Sequence, residues 1–171
     1  MIKAKELIRD IKDFPKTGIV FKDITPVLQN GEAFREVIST LAEKFKKERV
    51  EKVAAIEARG FIIGGALANA LRCGFVPIRK SGKLPYKTVA CEYSLEYGTD
   101  KVEMHEDAIA KGERILLVDD LLATGGTMGA AAKLVESLGG KIVGIAFFIE
   151  LKFLKGRERL KKYNVVSLVE Y

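Results

Sequence analysis

The sequence predicts an α/β fold: a mostly parallel central sheet flanked by helices. Two observations carry this. Short apolar runs of buried-strand length, at 53–56, 75–78, 114–118, 141–149 and 165–168, alternate with stretches of helical periodicity. That order builds a parallel sheet with helices on its faces. The chain has 171 residues, 48% of them apolar and 30% charged, which suits one domain with a full hydrophobic core spanning 1–171.

Residues 32–48 are the clearest helix. Phe34, Val37, Ile38, Leu41, Ala42 and Phe45 recur on one apolar stripe. The run 53–56 reads as a buried strand, and 61–72 as a small-residue helix suited to packing closely on a sheet. The strand at 75–78 gives way to 79–91, where Gly82, Pro85 and several cations predict an exposed loop. Residues 92–97 and 101–105 alternate around Gly98-Thr99-Asp100, a hairpin pattern. A strand at 114–118, a helix at 128–138 stopped by Gly139-Gly140, and a strand at 141–149 follow. A helix at 153–162 and a strand at 165–168 complete the pattern. Phe147 and Phe148 belong to the sheet core on this reading, and His105 has a structural role.

Composition excludes several classes. No apolar run is long enough for a membrane span, and 1–22 carries charges throughout, unlike a signal peptide. Cys73 and Cys91 form no CxxC pair, so free thiols in a reducing cytoplasm are expected. With one histidine, a zinc site built by the protein is not expected. The net charge of +6 is spread along the chain rather than gathered in a stripe, which fits a small polyanion better than nucleic acid. The run 157–162 reads as the solvent face of the late helix.

The segment Leu117-Val-Asp-Asp-Leu-Leu-Ala-Thr-Gly-Gly-Thr127 carries the chemistry. Asp119 and Asp120 follow an apolar strand, at the end where open parallel sheets bind ligands. Adjacent carboxylates there accept hydrogen bonds from vicinal hydroxyls such as those of ribose. Ala123, Thr124, Gly125, Gly126 and Thr127 then lead into a helix. Their N–H groups, two hydroxyls and the helix terminus form an anion nest. Hydroxyl acceptors followed by a phosphate nest suit a ribose 5-phosphate. Helix-capping aspartates beside a tight turn are the plain structural alternative. No Gly-x-Gly-x-x-Gly follows a strand, and 74–81 fails as a P-loop because Arg79 replaces its second glycine and Pro77 removes a donor.

This segment resembles the ribose-phosphate motif of the type I phosphoribosyltransferases. The resemblance to the adenine-using members covers almost the whole chain. It includes Asp13-Phe-Pro-Lys-Thr-Gly-Ile-Val-Phe-Lys-Asp-Ile-Thr-Pro26, Ile56-Glu-Ala-Arg-Gly-Phe61, Val76-Pro-Ile-Arg-Lys-Ser-Gly-Lys-Leu-Pro85, Tyr93-Ser-Leu-Glu-Tyr-Gly98 and Ser167-Leu168. The resemblance implies the fold of that family, with a small N-terminal hood at about 1–30 and a flexible loop and hairpin over the site. It implies the reaction of adenine with 5-phosphoribosyl 1-diphosphate (PRPP) to give AMP and diphosphate, a step of purine salvage. Magnesium would enter with PRPP, held mainly through the substrate rather than by direct protein ligands. A cytoplasmic homodimer with no nucleic-acid or membrane partner is also implied.

Roles carried over by the resemblance are these. Glu57, Ala58 and Arg59 form a diphosphate turn, with a non-proline cis peptide at or next to Ala58-Arg59. Arg79, Lys80 and Lys83 contact the diphosphate, with Arg79 reaching the neighbouring subunit's site. Residues 85–91 form a mobile hood. Glu96 lies near the base and the transferred sugar and assists the proton displaced by the new bond, while Tyr97 contacts the closed loop or substrate. Phe21 stacks on adenine, Val20 C=O and Lys22 N–H read its amine and ring nitrogen, and Leu121 packs on the opposite face. Catalysis falls to Glu96, Asp119, Asp120 and Arg59. Thr17 and Lys22 depart from the family's usual proline and arginine. A PRPP- or nucleotide-sensing regulator, or a transferase for another purine such as xanthine, shares the fold. The former usually carries an added DNA-binding module, and none is expected before Asp13.

Overall fold

The computed structural model describes residues 2–95 and 98–171. A 3-10 turn at Lys3–Leu7 leads into a two-stranded antiparallel ribbon, β1 (Arg9–Lys12) with β2 (Val20–Asp23), whose register pairs Ile11 with Phe21. Helix α1 (Thr25–Gln29) starts at a proline. Helix α2 (Gly31–Phe45) is capped by Asn30, whose Oδ1 accepts from the Glu32 and Ala33 N–H groups at 3.1 and 3.0 Å. Its expected stripe is the buried face, with Val37, Leu41 and Phe45 at the centre.

The body of the chain is β3 (Lys52–Ile56), α3 (Arg59–Leu71), β4 (Gly74–Lys80), β5 (Thr88–Leu95), β6 (Gly98–His105), β7 (Arg114–Leu122), α4 (Gly126–Ser137), β8 (Lys141–Glu150) and β9 (Val165–Glu170). The strands make a seven-stranded sheet in the order β5-β6-β4-β3-β7-β8-β9. The five strands from β4 to β9 are parallel, and the β5–β6 hairpin is joined to them antiparallel. Alternate residues of each strand enter opposite cores. Val53, Ala55, Leu116, Val118 and Phe148 pack with α2 and α3, whereas Ala54, Ile56, Leu117 and Phe147 pack with α4 and the hairpin. Burial of both faces explains why these strands read as continuous apolar runs.

The chain leaves β3 for β4 on one side and β7 for β8 on the other. Adjacent β3 and β7 therefore mark a topological switch point, and their carboxyl ends open a crevice between α3 and α4. No helix among the described residues is long and apolar enough to cross a membrane.

Five expectations need correction. Asp119 and Asp120 lie within β7, which runs on to Leu122. The exposed loop is shorter than 79–91. Arg79 and Lys80 belong to β4, paired with Glu103 and Val102, and β5 begins at Thr88. Val89, Cys91 and Tyr93 alternate onto the second core, a pattern obscured by the polar residues between them. Gly98-Thr99-Asp100 is strand, with Leu95 opposite Gly98. The helix expected at 153–162 is instead two 3-10 turns, Lys152–Leu154 and Gly156–Leu160. Lys155 between them has a left-handed φ of 52°. Arg157 is also not a solvent-face residue. Its guanidinium bonds buried Glu150, Ser167 Oγ at 2.8 Å and Val165 C=O at 2.8 Å. His105 packs edge-on against Tyr86, and Cys73 and Cys91 are both free.

Candidate active site

A cleft of about 610 Å³ lies over the carboxyl ends of β3, β4 and β7. Glu57, Ala58, Arg59, Lys80, Asp119, Asp120, Leu121 and Thr127 line it, which brings together residues of three of the expected site segments, the acidic-pair segment, the 57–59 turn and the basic cluster. A smaller pocket of about 80 Å³ continues beneath residues 123–127.

The acidic pair is set by the β7 register. Asp119 pairs with Phe147 in the sheet and accepts from the Asp120 N–H at 2.9 Å. Asp120 is buried, and Arg59 Nε lies 2.6 Å from its Oδ2 without forming a directed hydrogen bond. Burial, reinforced by the neighbouring Asp120 charge, holds the Asp119 carboxyl well above the ordinary aspartate range. Gly60, in the first turn of α3, makes the close fit possible. A Cβ there would sit 2.6 Å from Asp119 Oδ1.

Arg59 joins three parts of the site. It begins α3, contacts Asp120, and stacks its guanidinium over the Phe21 ring at 4.8 Å. Phe21 in turn meets Phe14 edge-to-face at 5.2 Å. Val20, Phe21 and Lys22 are not among the cleft's lining residues. The hood reaches the site through the Phe21–Arg59 stack. The Lys22 ammonium is held by Asp10 at 2.7 Å and lies 3.8 Å over the Tyr171 ring, so its side chain has a structural use.

Residues 123–127 lead into a helix, as the spacing implied. Gly125 caps α4 with φ of 78°, and residues 123–127 wrap the small pocket. Its underside is closed by the chain after β8. A Cβ on Gly156 would fall 2.1 Å from Ala123 C=O, and one on Gly125 2.5 Å from Gly156 C=O.

The basic cluster carries its own anion, which sequence reasoning missed. Glu57, expected only as part of a turn, accepts from Arg79 Nε and Nη2 at 3.0 Å each and from Lys80 N–H at 2.7 Å, and pairs with Lys83 Nζ at 3.3 Å. Burial raises its pKa, but these donors outweigh that and leave it below the usual glutamate range. Arg79 and Lys83 meet Glu57 without lining the cleft. The peptide Glu57–Ala58 is the non-proline cis bond expected at or next to Ala58-Arg59. Glu96 and Tyr97 lie outside the described residues.

Tyr93 and Asp100 also line the cleft, and neither was singled out from the sequence. Lys80 Nζ pairs with Asp100 at 3.0 Å, and Tyr93 donates to Asp100 at 3.2 Å. The sequence carried no clear signal for the pair, since 98–100 has turn composition and only the β5–β6 register opposes 93 and 100. Ser81 and Gly82 bind Glu103, which fixes the start of the exposed loop on β6.

Comparison with known proteins agrees with this geometry. Residues 23–170 match the family model of the phosphoribosyl transferase domain. The adenine phosphoribosyltransferase of Brachyspira hyodysenteriae is 56% identical over 170 residues, 99% of this chain and 100% of that protein. The crystal structure of adenine phosphoribosyltransferase from Thermoanaerobacter pseudethanolicus superposes with a TM-score of 0.97 at 54% identity, covering 99% of this chain and 98% of that one. The Saccharomyces cerevisiae enzyme, solved with an imino-altritol bisphosphate and adenine, gives 0.91 at 37% identity over 96% and 97% of the two chains. This chain belongs to the adenine phosphoribosyltransferase family, within the phosphoribosyl transferase domain proteins.

Proposed function

We propose that this chain transfers the ribosyl 5-phosphate of PRPP to adenine, giving AMP and diphosphate. One observation carries the reading. In a chain of this family, the acidic pair, Arg59, Lys80 and Thr127 line one cleft, and the small pocket wrapped by residues 123–127 adjoins it through Asp119, Leu121 and Thr127. Sugar hydroxyls, a terminal phosphate and a diphosphate thus each meet groups of matching chemistry. The whole chain acts as one unit, with residues 1–30 supplying the base side.

Asp119 and Asp120 accept from the ribose hydroxyls and offset the positive charge that develops on the sugar as diphosphate departs. The 123–127 backbone, Thr124 and Thr127 hold the 5′-phosphate. The turn Glu57-Ala58-Arg59, with Lys80, Arg79 and Lys83, holds the diphosphate, and Arg79 acts on the neighbouring subunit of a homodimer. Phe21 stacks on adenine, Val20 C=O and Lys22 N–H select its amino edge, and Leu121 covers the other face. That donor and acceptor order leaves polar groups unpaired against an oxo purine. Glu96 takes up the displaced proton and Tyr97 contacts the closed site. The base attacks the anomeric carbon with inversion, and catalysis is positioning and electrostatics.

The described residues contain no cluster of three His, Cys, Asp or Glu side chains. Magnesium keeps several waters and binds through substrate phosphates, so a lone carboxylate pair fits it. Magnesium would enter with PRPP and be held mainly through it, with Asp119 and Asp120 as the carboxylates available in the cleft, and would supply charge neutralisation on the leaving group. The enzyme works in the cytoplasm, in keeping with its free thiols.

A panel of purine bases with PRPP and magnesium, read by diphosphate release, tests the proposal. Adenine should be the preferred substrate. Activity with guanine or xanthine but not adenine would refute the specificity.

A further inference from the structure

Lys80 is the one member of the basic cluster whose side chain belongs to the cleft lining, and it carries a partner of its own. Asp100 sits on β6, beyond the two residue pairs, Arg79 with Glu103 and Lys80 with Val102, that join this strand to β4. Its carboxylate nevertheless turns back to the cleft. Oδ2 meets Lys80 Nζ at 3.0 Å and Tyr93 Oη at 3.2 Å, while Oδ1 accepts from the Lys101 N–H at 2.8 Å. Tyr93 and Thr127 line the same cleft. An anion therefore occupies the cleft beside the cation meant for another anion. Its side chain is a quarter exposed, so water and solutes can reach it. The hydrogen bond from Lys80 depresses the Asp100 pKa, and the same contact raises that of Lys80.

We propose that Asp100 is an internal stand-in for the diphosphate: its carboxylate neutralises Lys80 in the ligand-free chain and is displaced when diphosphate arrives. The inference rests on the function proposed above, and makes Asp100 a positioning residue that sets affinity for PRPP and for diphosphate. An ion pair at a diphosphate site weakens binding in two ways. The ligand must break the pair, and it must then share the cleft with a freed negative charge.

Titration calorimetry with inorganic diphosphate and steady-state kinetics with adenine and PRPP test this. Asp100→Asn removes the charge but keeps an acceptor for Lys101 N–H and Tyr93. It should tighten diphosphate binding roughly three- to ten-fold, the scale of a partly exposed ion pair plus one repelling charge. The KM for PRPP should fall in parallel, with kcat unchanged or lowered by slower product release. In a Lys80→Gln background the gain should disappear. Unchanged or weaker diphosphate binding by Asp100→Asn, or a gain that survives without Lys80, overturns the proposal. On the unmutated chain, diphosphate should shift the Asp100 carboxyl carbon resonance, and an unmoved resonance also overturns it. If the unmutated chain binds no diphosphate, both this inference and the proposed function fall. Normal turnover with unaltered Asp100→Asn affinity removes only the inference.

Discussion

Two strand-to-helix turns face each other across the switch point, and they handle negative charge in opposite ways. At the end of β3, Glu57 is surrounded by Arg79, Lys83 and the Lys80 N–H, and its carboxyl lies below its ordinary range. Near the end of β7, Asp119 is pressed against Asp120 with Arg59 as the nearby cation, and its carboxyl lies well above its ordinary range. Neighbouring parallel strands give both turns the same position in the fold. One turn spends its acid on assembling cations. The other keeps Asp119 under-compensated, buried beside a second carboxylate. A stability cost confined to a ligand-facing pair is the pattern expected of a functional site.

The largest expected effect tests the second turn. Asp120→Asn should lower kcat with adenine and PRPP by roughly 10²–10³-fold, the scale of removing one preorganised electrostatic contact to a transition state. Circular dichroism should remain that of the folded chain. Unchanged kinetics would remove Asp120 from the mechanism. The next effect tests the contact between the turns. Gly60→Ala must push Asp119 aside, since the new Cβ would lie 2.6 Å from its Oδ1. A displacement of this kind should cost roughly 10- to 100-fold in kcat/KM. A variant with full activity would show that the two turns are independent.

Stability should separate the turns by sign. Glu57→Ala strips the Lys80 N–H and two cations of their acceptor and should destabilise by about 1–3 kcal/mol in thermal unfolding. Asp119→Asn removes a repelled, buried charge and should stabilise by roughly 0.5–2 kcal/mol while reducing activity. The pH dependence follows from the shifts. The Glu57 carboxyl is lowered in the folded chain, so its contribution is present above the ordinary value of 4.5 and fades as pH falls through the lowered one. The Asp119 carboxyl is raised, so its penalty is absent below 3.8 and grows as pH rises toward the raised value. Melting curves of both variants and the parent across acid pH check this, and a shared sign would end the contrast. The smallest effect belongs to the hood. Lys22→Ala loses a partly exposed pair with Asp10 and the Tyr171 contact. It should cost less than about 1 kcal/mol and leave adenine preference intact, because the base recognition proposed there uses only the backbone.

The strands of the parallel sheet were legible in the sequence because burial on both faces leaves unbroken apolar runs, and the glycines mark the turn into α4. Asp119 and Asp120 could be placed near the carboxyl end of their strand, although that strand runs on through them to Leu122. Arg59 could be found at its turn, but its stack on Phe21 is a contact between distant segments that no local pattern records. Glu57 looked like a turn residue because its partners come from β4 and the loop beyond it. Asp100 was read as part of a turn for a different reason. The Gly98-Thr99-Asp100 run has turn composition, and only pairing with β5 makes it strand. The 3-10 turns after β8 escaped notice because Lys155 adopts φ of 52°, a conformation that lysine does not announce.

Gly156 gives one of those turns a mechanical meaning. The peptide backbone there lies directly behind Ala123 and Gly125, with no room for even a methyl group between. The nest therefore has a rigid backing drawn from a distant part of the chain, and its stiffness is set from the side that no ligand touches. Arg157, anchored to Glu150 and Ser167, keeps that backing pressed against the last two strands. Altering this outer layer would retune how firmly the turn holds its shape while every cleft-facing atom keeps its identity.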